Sequence, residues 1–325
     1  MWPVEKANKW YQDKGWVIGC NYLPPTAVNS TEMWQKESYD PISIDRDFAM
    51  AVDIGFNSCR VFLPFIVWEA EKDEFIATFD NFLTIANKHG ITVMPILFDD
   101  CAFAGKEPYT GKQAEPIPRI HNSGWTPSPG FTIADNPRSG EILKEYVQTI
   151  IKEFTADNRI LLWDLYNEPG NSGRGAKSLP LLRNAFKWAR ECTPTQPLTA
   201  GVWEWKEWDL ECISLSDVIS FHSYASIEHT RAQTDDLAKL GRPLFCTEWL
   251  HRLYNNTVET HLPFFKERGV SIYNWGFVNG KTQTHLSWNM DENPPAIWQH
   301  DLFDKDLKPY SMDEIGLIKK LCTLS

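Results

Sequence analysis

Apolar positions in this chain fall into short, nearly continuous runs. Between the runs lie longer stretches in which they recur every three or four residues. Runs of the first kind read as strands buried on both faces, and stretches of the second kind as helices laid over a sheet. The runs cover residues 16–22, 57–63, 92–98, 160–168, 198–203, 217–224, 243–249 and 271–277. Helical periodicity covers residues 45–54, 80–89, 139–154, 179–191, 230–240, 257–268 and 313–321, and Gly55, Gly90, Gly241 and Gly269 close four of these segments. Eight strands, nearly all followed by helices, predict a single (β/α)8 TIM barrel spanning residues 1–325. A doubly wound open sheet is the rival. It needs a glycine-rich phosphate turn after the first strand, and Cys20-Asn21-Tyr22-Leu23-Pro24-Pro25 offers none. No internal repeat or linker composition marks a second domain.

Within this pattern the fourth run stands apart. Ile160-Leu161-Leu162-Trp163-Asp164-Leu165-Tyr166-Asn167-Glu168-Pro169 carries apolar strand character up to an abrupt polar end. Pro169 stops it, because proline has no N–H to continue a ladder. The Glu168 carboxylate is thereby delivered at the carboxyl end of a buried strand, where parallel α/β folds place their chemistry. The seventh run, Leu244-Phe245-Cys246-Thr247-Glu248-Trp249, also ends in a glutamate. In a barrel the other strand ends converge on the same face, and they supply Asn21, Arg60, Asp99 or Asp100, Asn167, Trp203, His222, Tyr224 and Trp275. Each alone has an ordinary explanation: a solvated loop carboxylate, a satisfied structural histidine, a tryptophan plugging the core. Their coincidence at one end of consecutive strands does not.

Charge and composition narrow the classes. A net charge of −11 with no Lys/Arg run excludes a nucleic-acid backbone as partner. No stretch approaches the ~18 apolar residues of a membrane span, so no membrane is expected. Met1-Trp2-Pro3-Val4-Glu5-Lys6 lacks the apolar core of a signal peptide, which leaves a cytoplasmic location, or a secreted one with its signal removed, equally open. The seven cysteines have no metal-site spacing, and those at 20, 59 and 246 sit in apolar runs, where cysteine is a small buried hydrophobe. Neither a metal nor another cofactor is expected. Fifteen tryptophans suit either a large core or a cleft in which indole faces stack on sugar rings.

At this point a family likeness emerges. The segment "WDLYNEP" resembles the acid/base strand, and "LFCTEW" the nucleophile strand, of the retaining glycoside hydrolases of the cellulase–mannanase group, family 5 in the clan with Asn-Glu on strand four. "GFNSCRVFL" is similar to that family's arginine-bearing second strand, "ISFHSY" to its His-x-Tyr on strand six, and "YNWGF" to its strand-eight tryptophan. The resemblance implies Glu168 as general acid/base, its pKa raised by the nearby charge of Glu248. Glu248 is then the nucleophile, held ionised by Arg60 and Tyr224. Asn167 would contact the sugar 2-hydroxyl, His222 would orient the acid/base or bind substrate, and Trp275 would lie under the ring. Asn21, Asp99 and Trp203 complete the expected substrate contacts. The substrate implied is a β-linked oligosaccharide or polysaccharide. One departure stands out: where the family usually has a histidine ending strand three, this chain has Phe98-Asp99-Asp100-Cys101.

Two other readings use the same residues. A sugar isomerase on this fold would hold divalent metals with Glu168, Glu248, His222 and Asp99, but needs oxygen ligands where strands five and eight offer tryptophan. A non-catalytic saccharide binder would not need both carboxylates. Finally, residues 101–138 form a connection far longer than the two to six residues usual after a barrel strand. With Arg119, His121 and Trp125 there, Trp203, Trp205 and Trp208 after strand five, and His285 and Trp288 before Pro294-Pro295 after strand eight, bulky loops are expected to wall a pocket. An exo-acting enzyme fits such a pocket; an endo-acting β-glucanase or β-mannanase would leave an open groove.

Overall fold

A computed structural model describes residues 1–288 and 296–323. The chain enters through α1 (Val4–Lys14) and β1 (Ile18–Asn21), and then through α2 (Ser30–Trp34) and α3 (Pro41–Asp53) to β2 (Ser58–Phe62). Helices α4 (Phe65–Ala70) and α5 (Lys72–Lys88) lead to β3 (Thr92–Asp99). After the long connection, which holds α6 (Phe131–Ala134), come α7 (Gly140–Glu153), β4 (Trp163–Asn167) and α8 (Leu179–Glu191). The next strand is split into β5 (Leu198–Thr199) and β6 (Gly201–Val202), followed by α9 (Glu207–Leu215) and β7 (Ile219–His222). Helix α10 (Ile227–Ala238), β8 (Leu244–Trp249), α11 (Val258–Glu267), β9 (Ser271–Trp275) and α12 (Met312–Thr323) complete the order.

All nine strands pair in parallel, in the order β5-β4-β3-β2-β1-β9-β8-β7-β6. The two ends of that order are halves of one predicted strand, residues 198–203, so the ring closes through the chain itself. This is the expected (β/α)8 barrel. The break at Ala200 is stitched by side chains: its N–H reaches Ser216 Oγ at 3.3 Å, and Thr199 Oγ1 donates to Val218 O at 2.8 Å.

Five helices escaped the periodicity reading, each for a physical reason; α2 and α6, of five and four residues, are too short to show a period. In α9, Leu210 is 62% exposed while Asp209 is fully buried, accepting three N–H bonds from residues 203–206. Polarity and burial are inverted there, so no amphipathic stripe forms. Helix α4 is a buried plug of Phe65, Val67 and Trp68, too apolar and too short to show a period. Helix α1 buries only Ala7 fully and rests on a surface no linear pattern shows. The start of α3 also moves, to Pro41, because Asp40 caps it by accepting from Ser43 N–H at 3.1 Å.

That surface is the amino end of the barrel. Met94, Leu161, Leu162, Val218, Phe245 and Tyr273 form a layer there, and Trp2, Ala7, Trp10 and Tyr11 of the N-terminal segment close it. Trp10 and Tyr11 meet the Phe245 ring at centroid distances of 6.2 and 5.6 Å. One end of the barrel is therefore sealed, and any chemistry belongs to the other. Among the described residues, no helix is long and apolar enough to cross a membrane.

Phe245 is fully buried and, among the described residues, its ring contacts with helices are those to α1. Phe245→Ala should therefore cost about 3–5 kcal/mol, as phenylalanine truncation in a packed core does. Thermal unfolding checks this. Because the opposite end carries the site, kcat of the remaining folded protein should stay unchanged.

Candidate active site

At the carboxyl end, the register sets which side chains meet. Asn21 pairs with Arg60 and with Trp275, Asp99 with Asn167, and His222 with Glu248. A shift in register between Phe221 and His222 re-aims the histidine. Gly201 leaves it room, since a Cβ there would lie 3.1 Å from His222 Nε2.

Arg60 occupies the barrel axis and has no exposed surface. Nε and Nη2 donate to Asp164 Oδ2 at 3.1 and 2.8 Å, Nη1 to Asn21 Oδ1 at 2.7 Å and Glu248 Oε1 at 2.9 Å, and Nη2 also to Asn167 Oδ1 at 2.6 Å. All five N–H groups are thus used. Between them, Asp164 and Glu248 hold the buried guanidinium charged, its pKa raised despite desolvation.

Glu248 also accepts from Tyr224 Oη at 2.8 Å. Glu168 has different company. Its Oε1 lies 2.6 Å from His222 Nδ1, and its Oε2 accepts from Cys101 Sγ at 3.2 Å and from the Asn171 amide. The backbone of Glu168 adopts φ +43°, a conformation that non-glycine residues seldom take. The loop that follows holds it there: Asp100 accepts from Tyr166 Oη at 2.8 Å, from Gly170 N–H at 2.8 Å and from the Ser178 hydroxyl. Strain of this kind collects at functional sites.

Burial raises the pKa of both glutamates. For Glu168 burial is the cause, opposed by Cys101, Asn171 and Arg60. For Glu248, His222, Arg60 and Tyr224 oppose the rise, while Glu168 adds to it. Burial also pushes His222 down to about 4, so it is a neutral imidazole near pH 7.

A cavity of about 400 Å³ opens over this group. Asn167, Glu168, Trp203, Tyr224, Glu248 and Trp275 line it. His222 faces an adjoining depression of about 310 Å³, which Glu168, Trp203 and Tyr224 share. Three expected sugar contacts, Asn21, Arg60 and Asp99, do not line the cavity. Asn21 and Arg60 are bonded to each other, and Asp99 gives its oxygens to Trp125 Nε1, Asn167 Nδ2 and Cys101 N–H, all at 2.8–2.9 Å. What separates these three from Asn167 and Glu248, which are also hydrogen-bonded within the wall, is that the latter two border the cavity.

Of the loop aromatics, His121, Trp125 and Trp288 line the cavity and Trp205 the depression. Trp208 packs against Gly170, where a Cβ would come within 2.6 Å of the indole. Arg119 is exposed, His285 packs on Trp298 at 5.4 Å, and Pro294-Pro295 lie outside the described residues. Cys101, Phe103, Asn122, Asn171, Tyr254 and His300 also border the two spaces without having been singled out. Asp164 left a readable signal: an acid inside an apolar run needs a buried cation, and Arg60 interrupts another such run.

A metal centre fits these donors poorly. Among the described residues, Glu168, His222 and Glu248 bring one ligand-type atom each within 4.8 Å of one another. The oxygens of Glu248 are already taken by Arg60 and Tyr224, Asp99 is spent in the wall, and Trp203 and Trp275 stand where further oxygen ligands would be required.

A parallel barrel sealed at one end, with two buried glutamates at the other, defines an enzyme of glycoside-hydrolase type. Residues 24–281 match the family model for cellulase (glycosyl hydrolase family 5), and the chain belongs to that family. It is a glycoside hydrolase. Solved structures share the fold at low identity. A GH5_18 protein from Streptomyces cattleya in complex with GlcNAc is 13% identical with a TM-score of 0.62, over 95% of this chain and 80% of that one. The exo-beta-1,4-mannosidase from Opitutaceae bacterium strain TAV5 is 17% identical with a TM-score of 0.65, over 95% of this chain and 59% of the other. An endo-beta-1,4-mannanase from Thermotoga petrophila is 14% identical with a TM-score of 0.60, over 95% and 77%. No curated protein sequence matches the chain.

Arg60→Lys keeps the charge but cannot reach four acceptors. It should destabilise the fold by about 1–3 kcal/mol for each buried acceptor left without a donor, and abolish turnover. Urea unfolding and an aryl-glycoside assay measure the two effects; a variant with wild-type stability would refute the role given to Arg60.

Proposed function

We propose that the enzyme is a retaining β-glycosidase that removes sugars from the ends of β-linked glycans. The observation that carries the mechanism is the approach of the two carboxylates, with an oxygen of Glu168 and one of Glu248 within 4.8 Å of each other. Retaining enzymes hold their carboxyl groups about 5–5.5 Å apart, whereas inverting ones leave room for a water. In the first step Glu248 attacks the anomeric carbon while Glu168 gives its proton to the departing oxygen. In the second, Glu168 takes a proton from water, which attacks the same carbon and releases Glu248. Arg60 and Tyr224 favour the anionic form of Glu248 before attack and as it leaves. Asn167, held by Arg60 and Asp99, borders the cavity where a 2-hydroxyl would sit.

Exo action follows from which space holds which sugar. Glu248 and Trp275 line the larger cavity and not the depression, so the ring attacked at its anomeric carbon lies there. Phe103, His121, Asn122 and Trp288 wall that cavity, and the Trp288 indole donates to His121 Nε2 at 3.2 Å across two loops. Glu168 stands at the boundary, so the leaving group lies in the depression beside Trp203, Trp205 and Tyr254. Among the described residues, the depression on the leaving side offers the room for sugars beyond the first.

Glu248→Gly should abolish turnover of aryl β-glycosides, and azide should restore it on an activated substrate with the α-glycosyl azide as product. Rescue of Glu168→Gly with that same α product would reverse the two roles. On a soluble β-glucan or mannan, monosaccharide should accumulate while viscosity barely changes. A rapid viscosity drop with few new reducing ends would mean cleavage within chains.

A further inference from the structure

The sequence departs from its family at the end of β3, and there Cys101 touches the catalytic carboxyl. Its Sγ lies 3.2 Å from Glu168 Oε2 and 3.6 Å from Asn167 Nδ2, it is 7% exposed, and it borders the cavity. Its own N–H is tied to Asp99 Oδ1 at 2.9 Å, which fixes where the thiol points. Asn171 Nδ2 donates to the same oxygen of Glu168. A carboxyl oxygen has two lone pairs, and two donors occupy both. Among the described residues, the other oxygen, Oε1, has His222 Nδ1 beside it.

We propose that Cys101 is a positioning residue for the acid/base step: with Asn171 it keeps Oε2 an acceptor and so confines the catalytic proton of Glu168 to Oε1. This rests on the role given to Glu168 above. Losing the thiol frees a lone pair on Oε2, and the proton then divides between an oxygen that serves the leaving group and one that faces the wall. The same loss removes a donor to the ionised carboxyl, so the Glu168 pKa moves up rather than down. Other groups around Glu168 stay in place: Arg60 from β2, Asp99 from β3, His222 and Tyr224 at and after β7, and Glu248 from β8. The thiol remains protonated throughout, because burial and the carboxylates of Asp99, Glu168 and Glu248 raise its pKa well above the usual range.

Two readouts test this in Cys101→Ala and in Cys101→Val, which refills the volume without a donor. The Glu168 carboxyl carbon, followed by 13C NMR and assigned by its absence in Glu168→Gln, should titrate about 0.5–1 pH unit higher than in wild type, with Cys101→Ser returning it. Cleavage of a disaccharide, which needs the proton, should fall about three- to tenfold in kcat/KM, while a dinitrophenyl glycoside, which hardly does, should change less than about twofold. A titration unchanged in both non-donor variants, or equal loss on both substrates, would overturn the proposal. The two readings part cleanly: a wild type inactive on every glycoside removes the function proposed above, and the carboxyl titration still decides whether the thiol governs Glu168.

Discussion

The buried guanidinium of Arg60 is the constraint on which the site depends. An isolated cation on the axis of a barrel would be prohibitively costly to desolvate, so it must be paired and fully hydrogen-bonded. Asp164 and Glu248 provide the charge, Asn21 and Asn167 the remaining acceptors. These partners come from β1, β4 and β8, so one side chain on β2 ties the positions of three other strands. Only a planar fork with five donors reaches four acceptors in a ring of strands.

That arrangement divides two chemically identical side chains. Glu248 faces a cation and a phenol, both of which favour its anion. Glu168 faces a thiol, a primary amide and a neutral imidazole, none of which brings a full charge into contact. Burial lifts both pKa values, and it is the hydrogen-bonded company of each carboxyl, a cation and a phenol at Glu248 against uncharged groups at Glu168, that suits the first to the anionic role and the second to the proton-carrying role proposed for them. The loop below Glu168 makes the distinction durable. Asp100 binds the chain on both sides of the positive-φ turn, at Tyr166, Gly170 and Ser178, so the carboxyl has little freedom to exchange neighbours.

Around this centre the loops supply surface rather than charge. His121, His251 and His300 lie among Tyr224, Tyr254 and Trp288, with His251 stacked on Tyr254 at 3.9 Å between centroids. Burial drives the pKa of all three histidines down, to about 4 for His121 and His251. Near neutral pH the wall is thus uncharged and largely aromatic. Such a wall suits the apolar faces of sugar rings, and it leaves the field at the two carboxyls to Arg60.

The barrel was legible in the order of elements, because a strand buried on both faces and an amphipathic helix have distinct periods whatever surrounds them. The two glutamates were legible for a related reason: an acid ending an apolar run, followed by proline, must emerge at the strand's carboxyl end. What the linear pattern could not show is which polar residue borders the cavity and which is enclosed behind it. Asn21, Arg60 and Asp99 sit at strand ends just as Asn167 and Glu248 do, yet their partners close around them inside the wall. Cys101 looked like one more scattered cysteine until the fold brought it 3.2 Å from Glu168, 67 positions away in the chain. Periodicity reports on neighbours along a chain, whereas the pairing of buried donors with acceptors depends on distances across the barrel, which only the closed sheet decides.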